Sequence, residues 1–122
     1  MMERLRIEYG TGCMELNVEA FFPCRMPAMR KVARLINSYC SDEAREELLL
    51  ELRELADGYK ALCDMYRETE EALPADSPER RHWRAQFNKT EVLRRRMEGN
   101  IKLISGGERD EQGGNAGVQD AQ

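Results

Sequence analysis

The residues best suited to nucleophilic or metal chemistry are one histidine and four cysteines. His82 sits in the run Arg80-Arg81-His82-Trp83-Arg84. Cys13, Cys24, Cys40 and Cys63 are separated by gaps of 10, 15 and 22 residues. Zinc sites need Cys or His in short-range pairs, and no CxxC or CxxH occurs, so no metal is expected. Cys63 and His82 fall in successive helical segments and could meet as a thiolate–imidazole pair. The plainer reading has Cys63 filling an apolar seam and His82 in solvent, and it is preferred because one histidine with scattered cysteines is commonplace without catalysis.

Carboxylates are abundant between residues 41 and 76. Glu43/Glu47, Glu47/Glu51 and Asp64/Glu68 are i, i+4 pairs that share a helical face. A hydrolase needs two carboxylates facing a pocket, and a charge run on a helix is ordinarily a solvated face. No Ser-His-Asp set is visible, and no glycine-rich phosphate loop follows a strand. The sequence therefore predicts no enzyme, no cofactor and no small-molecule substrate.

The arginines carry a second kind of chemistry. Arg80, Arg81 and Arg84, then Arg94, Arg95 and Arg96, form two basic clusters on one helical segment, and Arg30, Lys31 and Arg34 form a third on another. Such groups neutralise phosphates, and Trp83 could stack on a base. Against this, the chain is acidic, with a pI near 5.2 and a net charge of −4. Trp83 also falls on an apolar stripe, and the arginines have potential acidic partners in the preceding helix.

These groups need elements to position them. Leu5, Ile7 and Tyr9 alternate with charged residues, Gly10-Thr11-Gly12 marks a turn, and Met14, Leu16, Val18 and Ala20 alternate again. This predicts a β-hairpin over 4–20 with one apolar face, which must pack on helices. Pro27 suits the first turn of a helix over 27–40, whose apolar stripe is Met29, Val32, Ala33, Leu35, Ile36 and Tyr39. Ser41 caps a long helix over 41–73. Its stripe of Leu48, Leu52, Leu55, Tyr59, Leu62, Tyr66 and Leu73 follows a coiled-coil spacing that Thr69 interrupts.

Pro74 ends that helix. Asp76 or Ser77 caps the next, over 78–104, and Asp76 with Glu79 fits a capping box. The stripe there is Trp83, Phe87, Thr90, Leu93, Met97, Ile101 and Ile104. Two long helices joined by a short turn lie antiparallel. Residues 41–76 hold twelve acids against four bases, and residues 77–105 eight bases against three acids. Their opposite charges are expected to flank the seam and fix its register.

The predicted class is α+β and predominantly helical, with residues 1–105 in one compact domain and a disordered, glycine-rich tail over 106–122. The start of the chain lacks the apolar core of a signal peptide, and no apolar run is long enough to span a membrane. A reducing cytoplasmic setting with free thiols follows.

The stretch RIEYGTGCMELNVEAFFPC, followed by a short helix and a charged helical hairpin, resembles small accessory proteins of Gram-positive mobile elements and phages. The resemblance covers about the first half of the chain and assigns no residue a role. It implies a setting in which small proteins bind and inhibit host machinery. Together these readings predict a protein-binding module whose partner is another protein or a second copy, with nucleic-acid binding as the alternative.

Overall fold

A computed structural model describes residues 2–107 of the chain. Two antiparallel strands, β1 (Arg4–Tyr9) and β2 (Gly12–Asn17), pair with Leu5 opposite Leu16 and Ile7 opposite Met14. The two-residue turn places Gly10 at φ 57°, a left-handed conformation that favours glycine. Alternation sorts the hairpin faces. Leu5 and Ile7 are buried, whereas Arg4 and Arg6 stand outward near Glu15.

The second strand stops at Asn17, three residues earlier than the alternation predicts. Asn17 accepts a hydrogen bond from the Ala20 N–H and caps a single helical turn, α1 (Val18–Phe21). The Val18 N–H still donates to the Glu3 carbonyl, so Val18 is buried while Ala20 turns outward. A local Asn cap thus outcompetes the strand that alternation alone suggests.

Three longer helices follow: α2 (Met26–Tyr39), α3 (Asp42–Glu71) and α4 (Pro78–Ser105). Ser41 caps α3 by accepting from the Ala44 N–H. Ser77, not Asp76, caps α4 by accepting from the Arg80 N–H, so the predicted Asp76–Glu79 box does not form. α4 ends at Ser105 with Gly106 as its C-cap, and Gly107 follows in a turn; from Glu108 the expected tail lies outside the described residues.

α3 and α4 pack against each other as an antiparallel hairpin. Buried and half-buried positions of α3 run Leu49, Leu52, Ala56, Tyr59, Cys63, Tyr66 and Glu70, alternating steps of three and four. This frame differs from the sequence expectation at alternate positions: Ala56 and Cys63 enter the seam where Leu55 and Leu62 were expected. Side chains that small let the two backbones approach. On α4 the expected stripe holds, with Thr90, Met97 and Ile104 buried.

The β-hairpin, α1 and α2 form a second layer over one half of the hairpin, hereafter the proximal half. The main core lies between them: Leu5, Ile7, Val18, Phe22, Met29 and Ile36 meet Leu48, Leu52, Met97 and Ile104. Burying one such aliphatic side chain contributes about 1.5–3 kcal/mol. Toward the 72–77 turn, the distal half, the buried seam positions are Cys63, Glu70 and Thr90. Gly58 lies within α3 and costs about 1 kcal/mol relative to Ala, although a Cβ there would meet nothing within 4 Å.

Asn100 joins the layers. Its buried side-chain amide donates to the carbonyls of Phe22 and Cys24, 78 and 76 residues away in sequence. Asn100→Ala strands two carbonyls that have lost their donor. It is expected to lower unfolding free energy by about 1–3 kcal/mol. Urea denaturation followed by far-UV circular dichroism measures the change.

Candidate functional site

The arginine clusters are the sequence-predicted site, and the fold divides them. Arg80 and Arg84 converge on Glu70, a carboxylate of α3 whose side chain is only 9% exposed. The Arg84 Nε donates to Glu70 Oε2 at 2.7 Å, and Arg80 donates from Nη1 to the Leu73 carbonyl at 2.9 Å. Glu70 occupies a seam position where an apolar residue would ordinarily sit. Two guanidiniums offset the desolvation of its charge. Among the described residues, the ion pairs joining α3 to α4 meet at this carboxylate.

The other cluster turns onto its own helix. Glu91 accepts from Arg94 at 3.0 and 2.6 Å and from Arg95 at 3.1 Å, while Arg94 also donates to Glu98 at 2.8 Å. These are i, i+3 and i, i+4 pairs within α4. The expected ladder of opposite charges between the long helices is therefore mostly replaced by pairing within α4. The reason is geometric: a carboxylate one turn away on the same helix is already within reach.

The other five sequence-predicted basic residues have other surroundings. Arg81 donates to the Asp76 carbonyl at 3.4 Å, and Arg30 lies 4.0 Å from the Met26 sulfur. Lys31 is exposed, and Arg34 is half-buried. Arg96 is half-buried near Cys24, where its charge partly offsets the burial that pushes the Cys24 thiol up. No common pocket gathers the nine residues.

Trp83 stacks against Tyr66 at a centroid distance of 5.7 Å, and His82 packs edge-on against Trp83 at 5.0 Å. The indole thus helps close the distal seam, beside Phe87, which lies 4.8 Å beneath the Arg67 guanidinium. That cation–π contact adds about 0.5–1 kcal/mol at an exposed site.

Cys63 and His82 do not form a pair. The Cys63 thiol donates to Glu91 Oε1 at 3.5 Å, and His82 lies nine residues before Glu91 on α4. Nine residues span about 13 Å of helix. Burial, then the hydrogen bond to Glu91, raises the Cys63 thiol pKa and keeps the sulfur protonated. Cys40 is likewise raised by burial. Among the described residues no group of three or more His, Cys, Asp or Glu side chains is arranged to hold a metal ion, and no helix is long and apolar enough to cross a membrane.

Sequence reasoning missed Glu70 and Glu91 as the organising groups. Glu70 was detectable: it extends the three–four spacing from Ala56 and Cys63. Glu91 was detectable as the carboxylate three and four residues before Arg94 and Arg95.

A cavity of about 420 Å³ opens beside Glu70, between Arg67, Glu71, Arg84 and Asn88. It is a shallow, solvent-open cleft whose Glu70 carboxylate is already held by arginines. Compared with known proteins, the chain matches no family model, no curated protein and no solved structure.

The Glu91 cluster sets an acid dependence. Hydrogen bonds from Arg94 hold its carboxyl down from 4.5 to about 2. A carboxyl depressed in the folded state contributes stability that is complete above its ordinary value and lost as pH falls toward the depressed one. Glu91→Gln is therefore expected to lower stability at about pH 6 and to flatten its decline between about pH 4.5 and 2. Urea midpoints measured across that range give both effects.

Proposed function

We propose that the chain is a non-enzymatic protein-binding module that works through the distal half of its helical hairpin. One observation carries the reading: Leu62 and Met65, 39% and 49% exposed, stand on one face of α3 beyond the layer that covers the proximal half. An apolar edge that runs past its intramolecular cover is suited to another chain. The arginine geometry supports the same reading, because Arg80, Arg84, Arg94 and Arg95 are held by carboxylates within the molecule. Releasing them to phosphates would leave Glu70 buried without its counter-charges.

The resemblance of the N-terminal half to accessory proteins of mobile elements and phages makes a host protein the partner class. Nucleic-acid binding is the second reading. It draws on Arg30 and Arg81, whose hydrogen bonds described above go to neutral atoms, and on the exposed Lys31.

Affinity capture from a host lysate, with and without nuclease, separates the two. Protein binding predicts a specific protein retained after nuclease and lost with Met65→Glu. Capture abolished by nuclease, and by reversing Arg30, Lys31 and Arg81, would instead establish nucleic-acid binding.

A further inference from the structure

Each long helix turns a face to solvent on the side opposite its seam. On α4 the centre of that face is the row Ala85, Val92 and Gly99. Each lies two residues from the seam residue before it and two from the seam residue after it. Two residues are about 200° of rotation, so the row points away from α3. Val92 is 45% exposed. Met26, at the start of α2, fills in at the far end of the row. A Cβ on Gly99 would lie 3.4 Å from the Met26 Cε, and Met26 is 42% exposed.

Basic side chains border this row on both sides. Positions three and four residues away are its neighbours on the helix surface. Arg81, Arg95 and Lys102 stand on one side, Lys89 and Arg96 on the other. Arg30 adds a further charge beside Met26. From 81 to 102 the row and its two borders hold no acidic residue. The nearest carboxylates on α4, Glu91 and Glu98, lie one row further round and are held by Arg94 and Arg95. At 1.5 Å per residue the face is about 31 Å long.

We infer that the outer face of α4 docks an amphipathic helix of a partner protein, one with an apolar stripe between two acidic flanks. The site is separate from the Leu62–Met65 edge and goes beyond it. An apolar centre within a charged rim is the anatomy of a protein interface. The charge pattern selects the occupant: both borders are basic, so both flanks of the partner are acidic. The spacing selects a helix. The central row repeats every seven residues, two turns, and Ala85 and Gly99 are small enough to let a second helix approach. A nucleic acid would satisfy the borders but leave Val92 and Met26 without a partner. A second copy does not fit either. Its acidic helix, α3, carries Glu54 and Glu68 in the centre of its outer face, where the row on α4 needs apolar groups. One helix laid on another covers less than the roughly 800 Å² per partner of a standard interface, so the complex is weak and transient.

Fluorescence anisotropy of the full chain with a labelled peptide tests this. The peptide is a helix of about 21 residues, long enough to span the face, with Leu at steps of three and four and Glu on both flanks. A Kd in the micromolar range is expected. Val92→Glu should raise it at least about 10-fold, the loss typical of a central contact. Lys89→Glu combined with Lys102→Glu should do the same through the borders. Met65→Glu, on the other edge, should leave it unchanged. Circular dichroism of each variant confirms folding. The inference is overturned by equal binding of a peptide with Ser in place of Leu, which would make the contact purely electrostatic. It is overturned in favour of nucleic acid if duplex DNA displaces the peptide at equal concentration. Self-association of the chain that Val92→Glu abolishes would make the occupant a second copy instead. If the peptide fails to bind while Met65→Glu still releases a captured host protein, the face on α4 is excluded and the Leu62–Met65 reading stands.

Discussion

The 30-residue α3 and the 28-residue α4 are joined by six residues, and that short turn leaves each helix little choice but to bury its apolar edge on the other. The rest of the molecule follows from this contact. A two-helix hairpin buries only the strip between its members and leaves both edges in water. Along the proximal half one of those edges carries Leu48, Leu55 and Asn100, and the β-hairpin with α2 covers it. Two strands alone would be marginal in water, so the hairpin and the layer stabilise each other.

The polar content of the seam changes along its length. Near the layer the buried groups are mainly apolar, with Asn100 as a hydrogen-bonded exception, and packing supplies most of the stabilisation. In the distal half Cys63, Glu70 and Thr90 replace them, and the hydrogen bonds to Glu91 and from Arg84, with the Arg80 ion pair, supply specificity in place of buried area. A buried carboxylate contributes little net stability after its desolvation, but it tolerates only one register, the one that brings both arginines to it. The distal hairpin is thus well specified and weakly buried. That combination suits a surface that holds its shape while offering Leu62 and Met65 to another chain.

Much of this was legible in the sequence. The β-hairpin turn, α2, both long helices and their antiparallel packing follow from alternation, caps and stripe spacing. The errors share a cause. Reading large apolar residues as seam residues favoured Leu55 and Leu62 over Ala56 and Cys63. In a close helix pair the small residues face inward, while Leu55 packs against the core beneath the second layer and Leu62 is left 39% exposed. Strand β2 was overextended because alternation continues through Val18 and Ala20, whereas the Asn17 cap operates over three residues and breaks it. Asn100 was invisible, since its partners come from a loop more than seventy residues away. The arginine clusters were legible by type, but their particular partners were not: the carboxylates that hold four of them are Glu70 across the seam and Glu91 and Glu98 on α4 itself.

The frame of the α3 seam is the claim on which the uncovered edge depends, and the reactivity of Cys63 tests it most directly. In a variant with Cys13, Cys24 and Cys40 replaced by Ala, the rate of reaction with an aromatic disulfide reagent reports the exposure of that single thiol. With Cys63 in the seam, the folded chain is predicted to react at least about 100-fold more slowly than the urea-unfolded chain, because the thiol is reached only through opening. A folded-state rate close to that of the unfolded chain would place Cys63 on the surface. It would return the seam to Leu62 and remove the exposed edge from the molecule.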